Sequence, residues 1–223
     1  FVVEVIYGEL ETKTFIPIVI SSVFATLVSN TIIGIETLKI PSYSLVSPYR
    51  ELGLFLVLGL LAGVISTVLI RALYYTKDVF LKVPLHPVFK PALGGLAVGV
   101  IGLFYPRIFG MGYGVITDAL NNQFAFKLLI ILLLLKILTF SLSLGSGGFG
   151  GTIIPSLFAG TMFGGAFGIV VNTLYPGITA GPGAYALVGM GAIFAGTARA
   201  PLTAILILFE ITRDYNLILP LMF

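Results

Sequence analysis

The chain has 223 residues, 58% of them hydrophobic and only 9% charged, with a mean hydropathy of +1.12. An ordinary soluble domain carries roughly a quarter charged residues, so this composition excludes a water-soluble globule. The lack of cysteine excludes disulfides, Fe–S ligation and a thiol nucleophile, and twelve Lys and Arg placed singly form no nucleic-acid patch.

No charged block, Ser/Gly linker or Pro-rich tract divides the chain, and residues 1–223 read as one transmembrane domain. It begins at Phe1 without Met and ends inside a new apolar run, Leu217 to Phe223, the pattern expected of a fragment truncated at both ends. The opening FVVEVIYGEL has neither a basic region nor a cleavage site of a signal peptide.

A bilayer-spanning helix needs about 20 mainly apolar residues. Between Lys13 and Glu36 lie 22 uncharged positions, which predicts a span from Phe15 to Ile35. The 19 between Glu51 and Arg71 predict a second, Leu52 to Ile70. Only 16 separate Lys90 from Arg107, many of them glycine, which suits a short helix from Pro91 to Phe104. The stretch around 105 to 127 has room for one more short helix. A further helix, Leu128 to Leu144, is interrupted by the single charge of Lys136.

From Lys136 to Arg199 there are 62 uncharged positions, repeatedly broken by Gly and Pro. Cuts at GSGGFGG (145–151) and YPGITAGPG (175–183) leave helices Ile153 to Leu174 and Ala184 to Gly196. A third, Pro201 to Ile211, opens on a proline suited to the first helical position. It reaches only about half a bilayer at 1.5 Å per residue. Helices that stop at membrane depth need protein or a polar cavity around their free backbone groups, an arrangement found in transporters. The segment from Arg71 to Lys90 holds four cations and Asp78, whereas 175–183 holds no charge. The positive-inside bias puts the first on the cytoplasmic side and the second outside. His86, within Pro84-Leu85-His86-Pro87, then lies in a surface turn.

The chemistry points to Gly145-Ser146-Gly147-Gly148-Phe149-Gly150-Gly151-Thr152-Ile153-Ile154-Pro155. Five glycines in seven residues leave the backbone bare, and the helix that follows has unpaired N–H groups at its start. The helix dipole adds partial positive charge there. Bare amides suit a small anion that has to bind and leave. Close helix packing is the alternative use of such glycines, and it accounts for the spacings Gly59/Gly63, Gly95/Gly99, Gly160/Gly164 and Gly164/Gly168.

GSGGFGGTIIPSLFAGTMFGGAFG, then GAYALVGMGAIFAGTARAPLTAILILFEITRDYNLILPLM, resemble the second half of the CLC chloride channels and proton/chloride exchangers. EVIYGE, SPYRELGLFLVLGLLAG and GYG fit that half in the same order. The resemblance implies an all-α membrane protein, the second inverted repeat of a CLC-type fold with short, tilted and broken helices. In the family motif Gly-x-Phe-x-Pro, the amides of x and Phe bind the central chloride. Those positions are Thr152 and Ile153, between Gly151 and Pro155, with Gly150, Gly151, Ile154 and Pro155 supporting the loop. Ile153 replaces the aromatic residue, which alters pore shape but keeps the N–H. The first half's serine loop and gating glutamate, and the pore tyrosine further on, are absent from this chain, so it is expected to conduct nothing alone.

The resemblance also implies chloride as the transported ion, no cofactor, no bound metal, a plasma-membrane location and a homodimer. The dimer would pack through helices at Phe15 to Ile33, Pro201 to Ile211 and from Leu217. Exchangers of the family carry a proton-relaying glutamate where this chain has Val5, which cannot titrate. That favours a passive channel, with a proton-coupled antiporter as the alternative. Glu4 is one place off this position and is an alternative proton carrier. Arg199 is read as buried in an ion pair or snorkelling, with anion steering as its second use, and Glu210, Arg213 and Asp214 as a solvated helix end. Remote alternatives are a non-conducting scaffold and an intramembrane protease using Ser146, which would need a base beside it.

Overall fold

In the computed structural model, residue 4 and residues 12–32, 51–176, 179–212 and 218–222 are described. These residues form helices and turns without a strand. The helices are α1 (Thr12–Ile32), α2 (Leu52–Lys82), α3 (Lys90–Phe104), α4 (Tyr113–Leu120), α5 (Phe126–Gly145), α6 (Ile153–Leu174), α7 (Pro182–Ala198), α8 (Pro201–Thr212) and α9 (Ile218–Met222). Among the described residues, four stretches are long and apolar enough to cross a membrane: α2, Pro87–Phe104, α5 and α6.

The element limits follow Gly and Pro closely. α6 has the limits expected from its flanking GSGGFGG and YPGITAGPG, and α8 starts on Pro201. α4, with eight residues, fills the gap around 105 to 127. α2 differs. Instead of ending at Ile70 it continues through Arg71, Lys77 and Asp78 to Lys82, 31 residues in all. Charge limits what can sit in lipid but does not break a helix, and no Gly or Pro follows until Pro84. At 1.5 Å per residue α2 is about 46 Å long, against roughly 30 Å of hydrocarbon, which allows its charged end to stand in water.

On α2 the buried residues Phe55, Leu58, Ala62, Ser66 and Leu69 recur every three or four positions, forming one packed stripe. The other faces are equally apolar yet exposed, as Leu60 and Val64 show, the pattern of a helix that meets protein on one side and lipid on the rest. The described side chains of α1, from Ile16 to Ile32, are exposed nearly all round.

The core is the antiparallel pair α6 and α7. Gly160 faces Gly189 and Met190, Gly164 faces Tyr185 and Ala186, and Gly168 faces Pro182, all at backbone contact. Here the small-residue spacing serves packing, as expected. A side chain at Gly63, Gly95 or Gly99 would meet nothing within 4 Å. At these three positions the packing reading finds no neighbour among the described residues of this chain, and the spacing supplies a smooth face.

Three contacts fix the depth of each element along α2. At its first end the buried Glu51 accepts the Ala180 N–H at 2.9 Å and the Tyr185 hydroxyl at 2.7 Å. At the other end Thr76 and Lys77 press on Gly145, the last residue of α5. The 175–183 turn and the cationic segment thus lie at opposite ends of α2. In between, the Ser66 hydroxyl donates to the Ile193 carbonyl at 3.2 Å. Ser66 is one residue from the middle of α2, and its level matches the start of α6, because Thr197, one turn beyond Ile193, bonds Ser156 at 2.9 Å. The N-terminus of α6 therefore opens halfway along the long spanning helix.

Candidate anion-binding site

The glycine loop has two parts with different causes. Its first part ends α5: the Gly147 N–H donates to the Leu144 carbonyl at 3.0 Å and the Gly148 N–H to the Ser143 carbonyl at 3.1 Å, with Gly147 at φ 98°. This is a Schellman ending, which favours glycine in the left-handed position. Gly145 and Gly148 are held close to Lys77 and to the Ser143 carbonyl. Gly151 has no such cause. A side chain there would meet nothing within 4 Å, so its glycine leaves open space in front of α6.

Thr152 is the N-cap of α6, and its side chain makes no capping bond. Among the described residues, the amides of Thr152, Ile153 and Ile154 have no protein acceptor. Pro155 supplies no N–H, so it leaves no fourth donor to satisfy. Behind this turn the Ser156 hydroxyl donates to the Thr152 carbonyl at 2.7 Å, and Thr197 lies against Ser156. These hydroxyls brace the first turn from inside the protein and leave its amides facing outward.

A cleft of about 390 Å³ adjoins the loop, lined by Gly150, Gly151, Pro155, Ser143, Thr139 and Lys136 among others. Lys136 is only 6% exposed. Its ammonium donates to the carbonyls of Ile108 at 3.0 Å and Gly110 at 3.1 Å and stands 4.7 Å from the centre of the Phe158 ring. In the sequence Lys136 is only an interruption of a span; the signal available is that a cation in the middle of a Leu-rich helix needs a partner.

Other expected residues lie elsewhere. Glu4 is at the N-terminus of α8, where its carboxylate accepts the N–H groups of Leu202 (2.9 Å) and Thr203 (2.8 Å) and the Thr203 hydroxyl. Arg199 is exposed, with no carboxylate partner among the described residues, so its reading as a buried ion-paired residue is corrected. It ends α7 with φ 54°, and that sharp turn turns the side chain out of the helix packing. Glu210 and His86 are exposed, His86 with its ring edge toward Phe89. The Ser146 hydroxyl donates to the Ser143 carbonyl at 3.0 Å. Val5, Arg213 and Asp214 lie outside the described residues.

Residues 1–223 match the family described as voltage gated chloride channel. An H(+)/Cl(-) exchange transporter of Vibrio campbellii, ClcA, is 39% identical over 92% of this chain and 44% of its own length. The Arabidopsis thaliana chloride channel protein CLC-f is 37% identical over the whole chain and 31% of its own length. The crystal structure of a slow cyanobacterial Cl-/H+ antiporter superposes with a TM-score of 0.71 at 33% identity, covering 83% of this chain and 42% of that one. The chain thus spans less than half the length of each of these relatives.

Proposed function

Since the chain belongs to the voltage gated chloride channel family, an all-α membrane fold, we propose that it forms the second half of a chloride-transport domain. In this reading residues 1–223 are one transmembrane unit, and the ion path is completed only with the first inverted repeat. The observation that carries it is the start of α6. Three amides without a protein acceptor among the described residues, those of Thr152, Ile153 and Ile154, open beside a bare glycine, level with the middle of α2. Chloride is bound by the backbone N–H groups of Thr152 and Ile153, helped by the helix dipole. No cofactor takes part. The protein works in the cell membrane as a homodimer, with α1 and α8 presenting apolar side chains such as Phe24, Leu202 and Leu206 to the other subunit.

The test is bromide diffraction from the complete transporter. Anomalous density is expected at the amides of Thr152 and Ile153, and it should persist in Thr152→Ala. Ile153→Pro, which deletes a donor, should abolish it. Loss of the density in Thr152→Ala would make the hydroxyl the ligand and overturn the backbone mechanism.

Proton-coupled exchange is the better reading of the transport mode, ahead of the passive channel that Val5 favours. The support is the exchange activity in the names of the Vibrio and cyanobacterial relatives. The reversal potential of the complete protein should then shift with a pH gradient. A potential set by chloride alone would restore the passive channel.

A further inference from the structure

The most buried cation among the described residues has no role in the α6 amide site. Lys136 is buried in α5, and no carboxylate stands against it among the described residues. An ammonium carries three donors. Two are spent on the Ile108 and Gly110 carbonyls, and the aromatic face of Phe158 covers another side. The third has no protein acceptor among the described residues, and Lys136 lines the cleft.

The wall it belongs to is equally distinctive. Lys136, Thr139, Phe140 and Ser143 all line the cleft, and their spacing of three and four places them on one face of α5. Three of the four are polar, in a helix whose only other polar side chains are Lys127 and Ser141. The Ser143 hydroxyl makes no bond to a protein acceptor among the described residues. The face leads to Gly150 and Gly151 at the cleft's other side. A buried charge needs compensation, and an ionisable residue within a span marks a ligand pathway. Carbonyls and a ring solvate the ammonium without neutralising it.

We propose that this cleft is a second anion subsite, in which a small dehydrated halide is bound by Lys136 Nζ and passed along the polar face of α5 to the α6 amides. Phe158 is five residues into α6, so the subsite lies about 8 Å from those amides toward the 175–183 end at 1.5 Å per residue. An anion arriving from that end meets Lys136 first. The subsite rests on the anion-transport reading of α6 and adds a loading step to it.

Bromide-soaked crystals of the complete transporter test both sites at once. Two anomalous peaks are expected, one at the amides of Thr152 and Ile153 and one within hydrogen-bond reach of Lys136 Nζ. Lys136→Met should keep the first and lose the second, and should weaken halide uptake at low concentration about tenfold, as expected for losing a charged hydrogen bond. Lys136→Arg should keep both peaks. It also serves as the second variant if Lys136→Met does not fold. Bromide at the α6 amides alone in the wild type, or a second peak that survives Lys136→Met, overturns the subsite and leaves the α6 site standing. Bromide at neither place overturns both.

Discussion

The Tyr185 hydroxyl donates to Glu51 Oε2 at 2.7 Å, joining residues 134 positions apart in sequence. Both are buried, Glu51 at 1% and Tyr185 at 0% exposure, and the Ala180 N–H shares the same oxygen at 2.9 Å. The Tyr185 ring packs on Phe55 and Phe167, with centroids 5.1 and 5.8 Å away. The start of α2 is thereby tied to the turn before α7, which fixes the register of the spanning helix against the glycine-packed core. Tyr185→Phe keeps the ring and removes one charged hydrogen bond, so it should lower unfolding stability by about 1.5–3 kcal/mol. An unchanged melting temperature in detergent would refute the tie. Glu51→Ala should cost more, because it strips the acceptor from both donors.

Two glycines of the same spacing should behave in opposite ways. Gly164 meets the α7 backbone at Tyr185 and Ala186, so Gly164→Ala forces α6 and α7 apart and should cost about 1–3 kcal/mol. Gly63 meets nothing within 4 Å and lies inside α2. There Gly63→Ala should be neutral or stabilise by up to about 1 kcal/mol through helix propensity. Thermal melts of the two variants check the contrast, and equal losses would mean that Gly63 packs against something too.

That contrast shows which parts of the fold are legible in sequence. Gly and Pro punctuation marks the limits of α6 and the start of α8 because breaking a helix is a local act. Charge does not mark the end of α2, since Arg71 is compatible with a helix and only limits its depth in lipid. The small-residue spacing predicts a smooth face, but whether another backbone lies on it depends on a helix far along the chain. The loop at 145–151 was readable as a bare helix end. Its division, with Gly147 closing α5 and Gly151 opening the space before α6, needed φ angles and neighbours. The Glu51–Tyr185 pair and the carbonyl partners of Lys136 were not legible, because nothing local to either residue names its partner.

Arg199 ends α7 at φ 54°, a conformation that costs a non-glycine residue roughly 1–2 kcal/mol. Its side chain is exposed, so few contacts offset that cost. Arg199→Gly should therefore raise stability by about 1 kcal/mol, and Arg199→Val should lower it, since a β-branched side chain fits this region worst. Melting temperatures of both variants test the assignment, and a destabilised Arg199→Gly would mean that the guanidinium makes an interaction worth more than the strain.

The last prediction concerns Glu4, the titratable neighbour of Val5. Its two carboxylate oxygens accept the Leu202 and Thr203 amides and the Thr203 hydroxyl, so it caps the short helix α8. A capping carboxylate is worth about 0.5–2 kcal/mol, and all three of its partners here donate to it. Such a group is poorly placed to take up and release a proton in each transport cycle. Glu4→Gln replaces one acceptor oxygen with a donor facing those N–H groups, and should lower stability and slow chloride transport modestly. The ratio of protons to chloride moved should stay as in the parent. Liposome flux measured for both ions reads this directly: chloride transport that persists in Glu4→Gln while proton movement stops would make Glu4 the proton carrier and overturn its assignment as a cap alone.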